Sequence, residues 1–466
     1  MAAIDKTERL RKALLASGLF DAGWYAAAYP DVALTGMDPL EHFLRIGLLT
    51  HRDPGPDFSE TFFRIAAPGI GNSGGSALIH RLEHGPLPVQ ASRVMMAAMA
   101  LARTGRDGDA MRLARAHLGP EADRPLQLFQ ANKAVAAGGW NAWLAHLNAY
   151  LAPYRIAPVA LRDGGSLLHR LTTAPLPAVT GGPKVSIIMP AHDAAATVGA
   201  AAGSILRQTW TNLELLIVDD ASSDGTWRVL EGLAAADPRV RIRRNPRNVG
   251  PYVSKNLALR EASGDWITGH DADDWAHPQR IENHVAAVLQ TQGAIRAGTN
   301  FMLRVASSGR FGNVIGTSPH HSPDGIRRRA FISCLFHRQT MDRQLGFWDS
   351  VRFGADGEML NRVQRVLGPA YRDFDLFAML CLDLTGSLTN DAEHGLNTAS
   401  GVSETRRSYN AAYEVWHASA DPATLRLDFP PAARPFPVPE AVTVPAADIA
   451  ACEADETARR QPSAAG

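Results

Sequence analysis

The sequence predicts an α/β protein: an all-α N-terminal region followed by a domain built on a Rossmann-like half sheet. Three observations carry this. Short apolar, β-branched runs at 185–189 (VSIIM), 213–218 (LELLIV) and 240–244 (VRIRR) alternate with helix-period segments at 197–208 and 226–235. The run 213–218 leads directly into the Asp-rich loop 219–224 (DDASSD). Upstream, apolar residues recur at helical spacings from Thr7 to about Leu49 and, after a Gly-rich break at Gly69 to Gly75, from Val89 to Leu151.

At 466 residues the chain is too long for one ordinary core, so two or three units are expected. With 45% hydrophobic and 20% charged residues and a mean hydropathy of -0.13, it has the composition of a folded globular protein. Lys plus Arg and Asp plus Glu both number 47, which gives no basic field for nucleic acid. The three cysteines, Cys334, Cys381 and Cys452, fit neither a disulfide framework nor a zinc cluster, and they suit a reducing, cytoplasmic setting. The first twenty residues lack the continuous apolar core of a signal peptide, and the most apolar later run, 94–101 (VMMAAMAL), is far shorter than a membrane span.

Residues 1–60 read as a small helical module of short helices broken by Pro30 and Pro39. Its aromatics Trp24, Tyr25, Tyr29 and Phe43 suit a sugar platform or, more simply, a core. Residues 61–175 read as a helical, solenoid-like region with hairpin patterns such as MRLARAHL. The Pro- and Gly-rich stretch 174–184 (APLPAVTGGPK) is then a linker to a domain over 184–425, with halves at 184–295 and 296–425. Past it, 426–466 is Pro- and Ala-rich and is expected to be extended or disordered.

In a sheet of this kind, ligands bind beyond the carboxyl ends of the strands, where Pro190, Ala191, His192 and Asp193 would meet Asp219 and Asp220. No GxGxxG or GxxxxGK[ST] is present there, so a diphosphate would need another partner. The short strand 266–268 is followed by Gly269, His270, Asp271, Ala272, Asp273 and Asp274. Carboxylates this close repel one another unless solvated or bound to a cation, and hard oxygen ligands suit Mg²⁺ or Mn²⁺. An isolated DxD is more often a solvated turn. This one follows an apolar strand and lies between Trp266 and Trp275.

The stretches VSIIMPAHDAAATVGAAAGSILRQTWTNLELLIVDDASSDGT and NVGPYVSKNLALREASGDWITGHDADDWAHPQRIENHV resemble family 2 glycosyltransferases with the GT-A fold. The resemblance implies that Pro190, Ala191 and His192 line the base and ribose pocket and that Asp219 or Asp220 accepts a hydrogen bond from the base. Asp193 stands where the family commonly has Asn. Asn248 and Gly250 would close over the base or ribose. Lys255 replaces the Arg of a family Arg-Asn segment and would contact the ribose or diphosphate region, a surface ion pair being the plainer alternative. Asp271 and Ala272 would lie along the donor. Asp271 and Asp273 would hold the metal, with Asp273 its direct ligand, Asp274 supporting from behind, and His394 of the loop NDAEHGLNT completing the shell.

Further on, CLFHRQTMDRQLGFWDSVRFGADGEMLNRV resembles the acceptor region of the family. Its Glu-Asp pair appears here as Ala355-Asp356, so the resemblance implies Asp356 as general base. Glu358 and Arg362 stand i and i+4 as a structural pair. Phe347 and Trp348 suit either acceptor stacking or a buried turn. The implied reaction is inverting transfer of a sugar from a nucleotide-diphosphate donor, UDP-linked by preference, to a hydroxyl acceptor such as a glycan or lipid-linked oligosaccharide. The setting it implies is surface-polysaccharide assembly in the cytoplasm, with peripheral attachment to the inner membrane face through a partner. Residues 20–58 resemble a short module found ahead of bacterial glycosyltransferase domains. The alternatives are a non-catalytic glycan or nucleotide-sugar binding protein and a nucleotidyltransferase.

Overall fold

The computed structural model describes residues 2–67, 69, 76–85, 90–311, 320–384 and 402–460. It divides into two units, 1–150 with 311–328, and 151–310 with 329–466.

The first unit is helical. Helices Ala22–Ala28, Asp31–Thr35 and Pro39–His42 are short because Pro30 and Pro39 each restart the chain, and Asp21 and Asp38 cap two of them. Tyr25 and Phe43 are fully buried with rings edge-on at 5.5 Å, and Tyr29 lies 4.8 Å from Tyr25. These aromatics are core, not a sugar platform. Helices Ala91–Arg103, Asp107–Leu118 and Asp123–Ala136 extend the same core through Val94, Met95, Leu113 and Leu126.

Helix ends earlier than the 61–175 region anticipates. The last long helix is Trp140–Leu151, and beyond it Val159–Leu161 and Leu171–Thr173 pair antiparallel within the second unit. Pro153 and Pro158 forbid continuation of the helix, while Val159, Thr172 and Thr173 favour extended backbone. The 174–184 linker is fixed to the domain edge: Val179 exchanges backbone hydrogen bonds with Thr209 (2.7 Å) and Thr211 (3.0 Å).

The second unit is built on a mixed sheet. Its strands run in the order Val240–Arg244, Leu213–Asp219, Val185–Ala191, Trp266–Gly269, Leu335–His337, Ala297–Ala306, Tyr371–Asp383 and Trp275–Ala276. The first four are parallel; the near-continuous apolar runs of Val185–Ala191 and Leu213–Asp219 follow from burial on both faces, while the edge strand Val240–Arg244 mixes buried and exposed residues. Leu335–His337 is antiparallel to both of its neighbours, which turns the parallel half into the mixed half. Strand order reverses between Val185–Ala191 and Trp266–Gly269, the switch point at which a sheet of this kind opens a crevice.

Residues 426–460 are not an extended tail. Phe429, Val444, Ile449 and Cys452 pack with Val249, Val253 and Leu257, and Phe436 and Val442 join the large core of Trp348, Tyr409 and Trp416. Helix Ala446–Arg460 follows, and Arg247 and Arg260 pair with Asp448 (2.9 Å) and Glu453 (2.6 Å). The prolines exclude regular ladders, but the apolar residues among them find a surface to cover. No helix among the described residues is long and apolar enough to cross a membrane.

Candidate active site

Three loops meet beyond the parallel strands. Asp193 adopts a left-handed φ of +46°, a conformation Asp and Asn tolerate through local hydrogen bonds. Its carboxylate accepts from the Ser223 amide at 2.8 Å and from the Asp224 amide at 3.3 Å, and its own amide donates to Ser222 Oγ at 3.0 Å. Those bonds, the Ser223 amide foremost, hold its pKa below the usual carboxylate value. Asp193 thus stitches the 190–195 loop to the 219–225 loop. Pro190 and Ala191 finish their strand, and exposed His192 reaches the Asp220 carbonyl at 2.9 Å through Nδ1.

Asp219 and Asp220 are both buried. Asp219 accepts from the Ser222 amide at 3.1 Å and pairs with Arg244 at 3.1 Å. Asp220 receives the Val249 amide (3.0 Å), the Gly250 amide (2.7 Å) and Asn245 Nδ2 (2.9 Å), and so ties down the start of helix Gly250–Glu261. Burial raises the Asp220 pKa, and these donors work against the rise. In this conformation the protein's own groups occupy both carboxylates. Gly250, at φ +79°, turns the chain where a Cβ would lie 3.3 Å from the Arg352 Cα, and Arg352 donates to Asn248 Oδ1 at 3.0 Å.

The acidic turn follows strand Trp266–Gly269. Asp274 accepts from the Leu382 amide at 3.0 Å and is a structural member of the turn. Behind it lies buried Arg280, which sequence reasoning missed. Arg280 donates to the Gly269 carbonyl at 2.6 Å and to Thr268 Oγ1 at 3.1 Å, and it contacts His270 Nδ1 at 3.2 Å. Burial first, then the Arg280 charge, drive His270 well below its usual pKa, leaving a neutral imidazole beside the Asp274 carbonyl at 3.2 Å. Ala272 is buried between the two aspartates of the motif.

Burial first, and then the neighbouring Asp271, push Asp273 up to about 6. Asp271 is raised chiefly by burial; the Lys255 charge opposes the rise and the Asp356 charge adds to it. Among the described residues, neither Asp271 nor Asp273 accepts a hydrogen bond from another residue through its carboxylate. Two close carboxylates without donors are a donor set that suits a hard divalent cation. They are too few to enclose one, and no group of three or more such ligands occurs among the described residues. Mg²⁺-type ions are commonly held by one or two carboxylates with substrate phosphates completing the shell, so the pair fits that use. His394 lies outside the described residues.

Asp356 stands in the first turn of helix Ala355–Leu367, after Gly354 at φ +94°. Lys255 Nζ lies 2.9 Å from Oδ1 and 3.2 Å from Oδ2, and the Tyr252 hydroxyl donates to Oδ2 at 3.2 Å. Lys255 is therefore no surface ion pair: it is 2% exposed, and its partner is the carboxylate read as the base. Tyr252 is a further residue that sequence reasoning missed, and its spacing of three from Lys255 on one helix face was the available signal. Position 355 is fully buried in the core cluster, a setting that suits Ala in place of an acid.

The pair of Glu358 and Arg362 is completely buried, with bonds of 2.8 and 2.9 Å, and His417 adds a contact to Glu358 at 3.0 Å. Arg362 also donates to the Leu345 and Phe347 carbonyls, fixing the turn before the base. Trp348 exchanges two hydrogen bonds with the Asn256 side chain (2.8 and 2.9 Å) and packs edge-on to Phe336. Phe347 lies against Phe429. Trp348 belongs to the core, and Phe347 is partly buried against it.

The fold is that of a glycosyltransferase domain of GT-A type, and comparison with known proteins agrees. A family model described as Glycosyl transferase family 2 matches residues 186–309. The Bacillus subtilis (strain 168) protein named "Putative glycosyltransferase EpsE" is 30% identical over 202 residues, 42% of this chain and 72% of EpsE. The chain belongs to glycosyltransferase family 2. The Escherichia coli UDP-Glc:alpha-D-GlcNAc-diphosphoundecaprenol beta-1,3-glucosyltransferase WfgD is 39% identical over 107 residues, 23% of this chain and 41% of WfgD, so the match spans less than half of that relative. The S. aureus TarS 1-349 structure in complex with UDP-GlcNAc aligns at a TM-score of 0.35 and 16% identity, over 44% of this chain and 60% of that one, too weakly to carry an argument. Asp356 lies outside the residues that the family model matches.

Proposed function

We propose that the chain transfers a sugar from a nucleotide-diphosphate donor, UDP-linked, to a hydroxyl acceptor with inversion at the anomeric carbon. One observation supports this reading: the buried Lys255 is bonded to Asp356 at 2.9 Å from the helix whose start Asp220 holds at the carboxyl end of the parallel strands, the end from which the DxD turn also leaves strand Trp266–Gly269. Asp356 is the general base that takes the acceptor's proton as that oxygen attacks, and a single base without an enzyme nucleophile corresponds to one displacement and inversion. Asp271 and Asp273 would hold Mg²⁺ or Mn²⁺ with the donor's diphosphate; the ion, when bound, supplies charge stabilisation for the leaving group. Pro190, Ala191, His192 and the 245–250 loop form the base and ribose side of the pocket.

The name of WfgD specifies a UDP-sugar and a diphosphoundecaprenol-linked acceptor. A lipid-linked acceptor of that chemistry is the one we favour here, used at the inner face of the membrane in polysaccharide assembly. The three buried, unpaired cysteines are consistent with a reducing, cytoplasmic setting.

The test is incubation with UDP- and GDP-sugars, Mn²⁺ and diphosphoundecaprenol-linked acceptors, with the released nucleotide identified. Nucleoside diphosphate release that falls about 10²-fold or more in Asp356→Asn, with donor binding retained, is expected. Pyrophosphate release would move the assignment to a nucleotidyltransferase. Glycan binding without any nucleotide binding would make the chain a scaffold.

A further inference from the structure

The acidic turn is gripped from behind at both ends. On the way in, Arg280 donates to Thr268 Oγ1 and to the Gly269 carbonyl, on the last two residues of strand Trp266–Gly269, and reaches His270 Nδ1 at 3.2 Å. On the way out, the Ala276 amide donates to Ser204 Oγ at 3.1 Å and the Leu382 amide to the Asp274 carboxylate at 3.0 Å. The His270 ring joins the two ends. A guanidinium can only donate and a carbonyl can only accept, so the ring accepts at Nδ1 and donates from Nε2 to the Asp274 carbonyl at 3.2 Å. One imidazole thus spans positions 270 to 274 and closes the loop that carries Asp271 and Asp273.

Arg280 is a poor choice for the core alone. It is 1% exposed, no carboxylate lies within ion-pair distance of it among the described residues, and its Nε has no acceptor. A buried guanidinium without a counter-charge lowers stability, and an apolar side chain of similar volume would serve packing as well or better. Its three acceptors stand on consecutive residues, 268 to 270, immediately before the acid pair. Resting on the metal reading above, we propose that Arg280, acting through His270, is a positioning residue for the divalent-ion site. It fixes where strand Trp266–Gly269 ends and thereby the separation at which Asp271 and Asp273 present their carboxylates. Neither Arg280 nor His270 is a ligand in this assignment.

Positioning and charge predict opposite signs. A fixed cation behind the turn repels a divalent ion, so an arginine acting by charge alone would weaken metal binding, and its removal would tighten it. An arginine whose hydrogen bonds fix the turn strengthens metal binding, and lysine, a point charge without the planar fork, does not replace it. Mn²⁺ binding to the full chain is measured by electron paramagnetic resonance of the free ion, with UDP and separately with GDP present, and thermal unfolding of each protein is followed in parallel. Arg280→Met and Arg280→Lys are both expected to raise the Mn²⁺ Kd roughly tenfold or more. His270→Phe keeps a ring and loses both bonds. It is expected to raise the Kd likewise, and it decides the question if the Arg280 variants do not fold.

A merely structural arginine would change Tm and leave the Mn²⁺ Kd alone. Unchanged Mn²⁺ affinity in the folded variants therefore overturns the positioning proposal and leaves the metal site standing. Tighter binding in Arg280→Met, or full affinity in Arg280→Lys, also overturns it, since the charge would then be the whole effect. Absence of Mn²⁺ binding to wild type with either nucleotide overturns the metal reading itself, and this inference with it.

Discussion

Replacing Glu214 by Gln should weaken the parallel sheet by an amount that depends on pH in a calculable way. Glu214 is buried in strand Leu213–Asp219 and accepts from Ser186 Oγ (2.6 Å), the Ser263 amide (2.6 Å) and Lys184 Nζ (2.9 Å). It therefore ties its strand to strand Val185–Ala191 and to the turn that leads into strand Trp266–Gly269. Burial alone would raise its pKa, but the hydrogen bonds prevail and bring it from 4.5 to about 2. A depressed carboxylate stabilises the folded state fully above its unfolded pKa, and the contribution is lost as pH falls through the folded value. A shift of that size is worth about 3 kcal/mol at neutral pH, and the contribution fades between about pH 4.5 and pH 2. Urea unfolding of wild type and Glu214→Gln, followed by tryptophan fluorescence at pH 7, 5 and 3, measures this directly. The gap between the proteins should be widest at pH 7 and should narrow at pH 3. A gap independent of pH would refute the assignment of this carboxylate as a charged staple.

Three further outcomes follow from the packing. Glu358→Gln leaves Arg362 buried without its counter-charge and should lower stability by about 3–5 kcal/mol, seen as a fall in Tm. The joint replacement Glu358→Met/Arg362→Met should recover much of that loss, which a simple cavity explanation would not predict. Gly346→Ala sets a Cβ 2.0 Å from the Leu427 carbonyl oxygen at φ +72°, so the C-terminal segment must move aside. Limited proteolysis should then cut within 425–445 faster than in wild type, and unchanged cleavage would contradict the packing of that segment.

The parallel half of the sheet was legible because its strands are buried on both faces and read as apolar runs of fixed length, as in VSIIM and LELLIV. Asp219, Asp220, Asp271 and Asp273 were legible because they stand at the ends of parallel strands, whereas Asp356 opens a helix and was reached only through the family resemblance. What the sequence concealed lies in contacts between distant residues. Lys255 and Asp356 are 101 residues apart, and nothing local distinguishes a lysine that meets the base from one that meets solvent. The strand Leu335–His337 is three residues long and is defined by its neighbours on the sheet rather than by its own pattern. The segment after 425 misleads because prolines signal irregular backbone, which is correct, but irregular backbone can still cover a core, as Phe429, Phe436 and Val442 do. Arg280 gave no sign of its place because a charged side chain on an amphipathic helix is ordinarily solvated.

The central claim is that Asp271 and Asp273 hold a divalent ion together with the diphosphate of a nucleotide donor. Isothermal titration of UDP and GDP, with and without Mn²⁺, into wild type and Asp273→Asn tests it most directly. The account predicts that one nucleotide binds wild type in a Mn²⁺-dependent manner and that Asp273→Asn loses this dependence. Binding of equal strength with and without metal, unchanged in the variant, would contradict it.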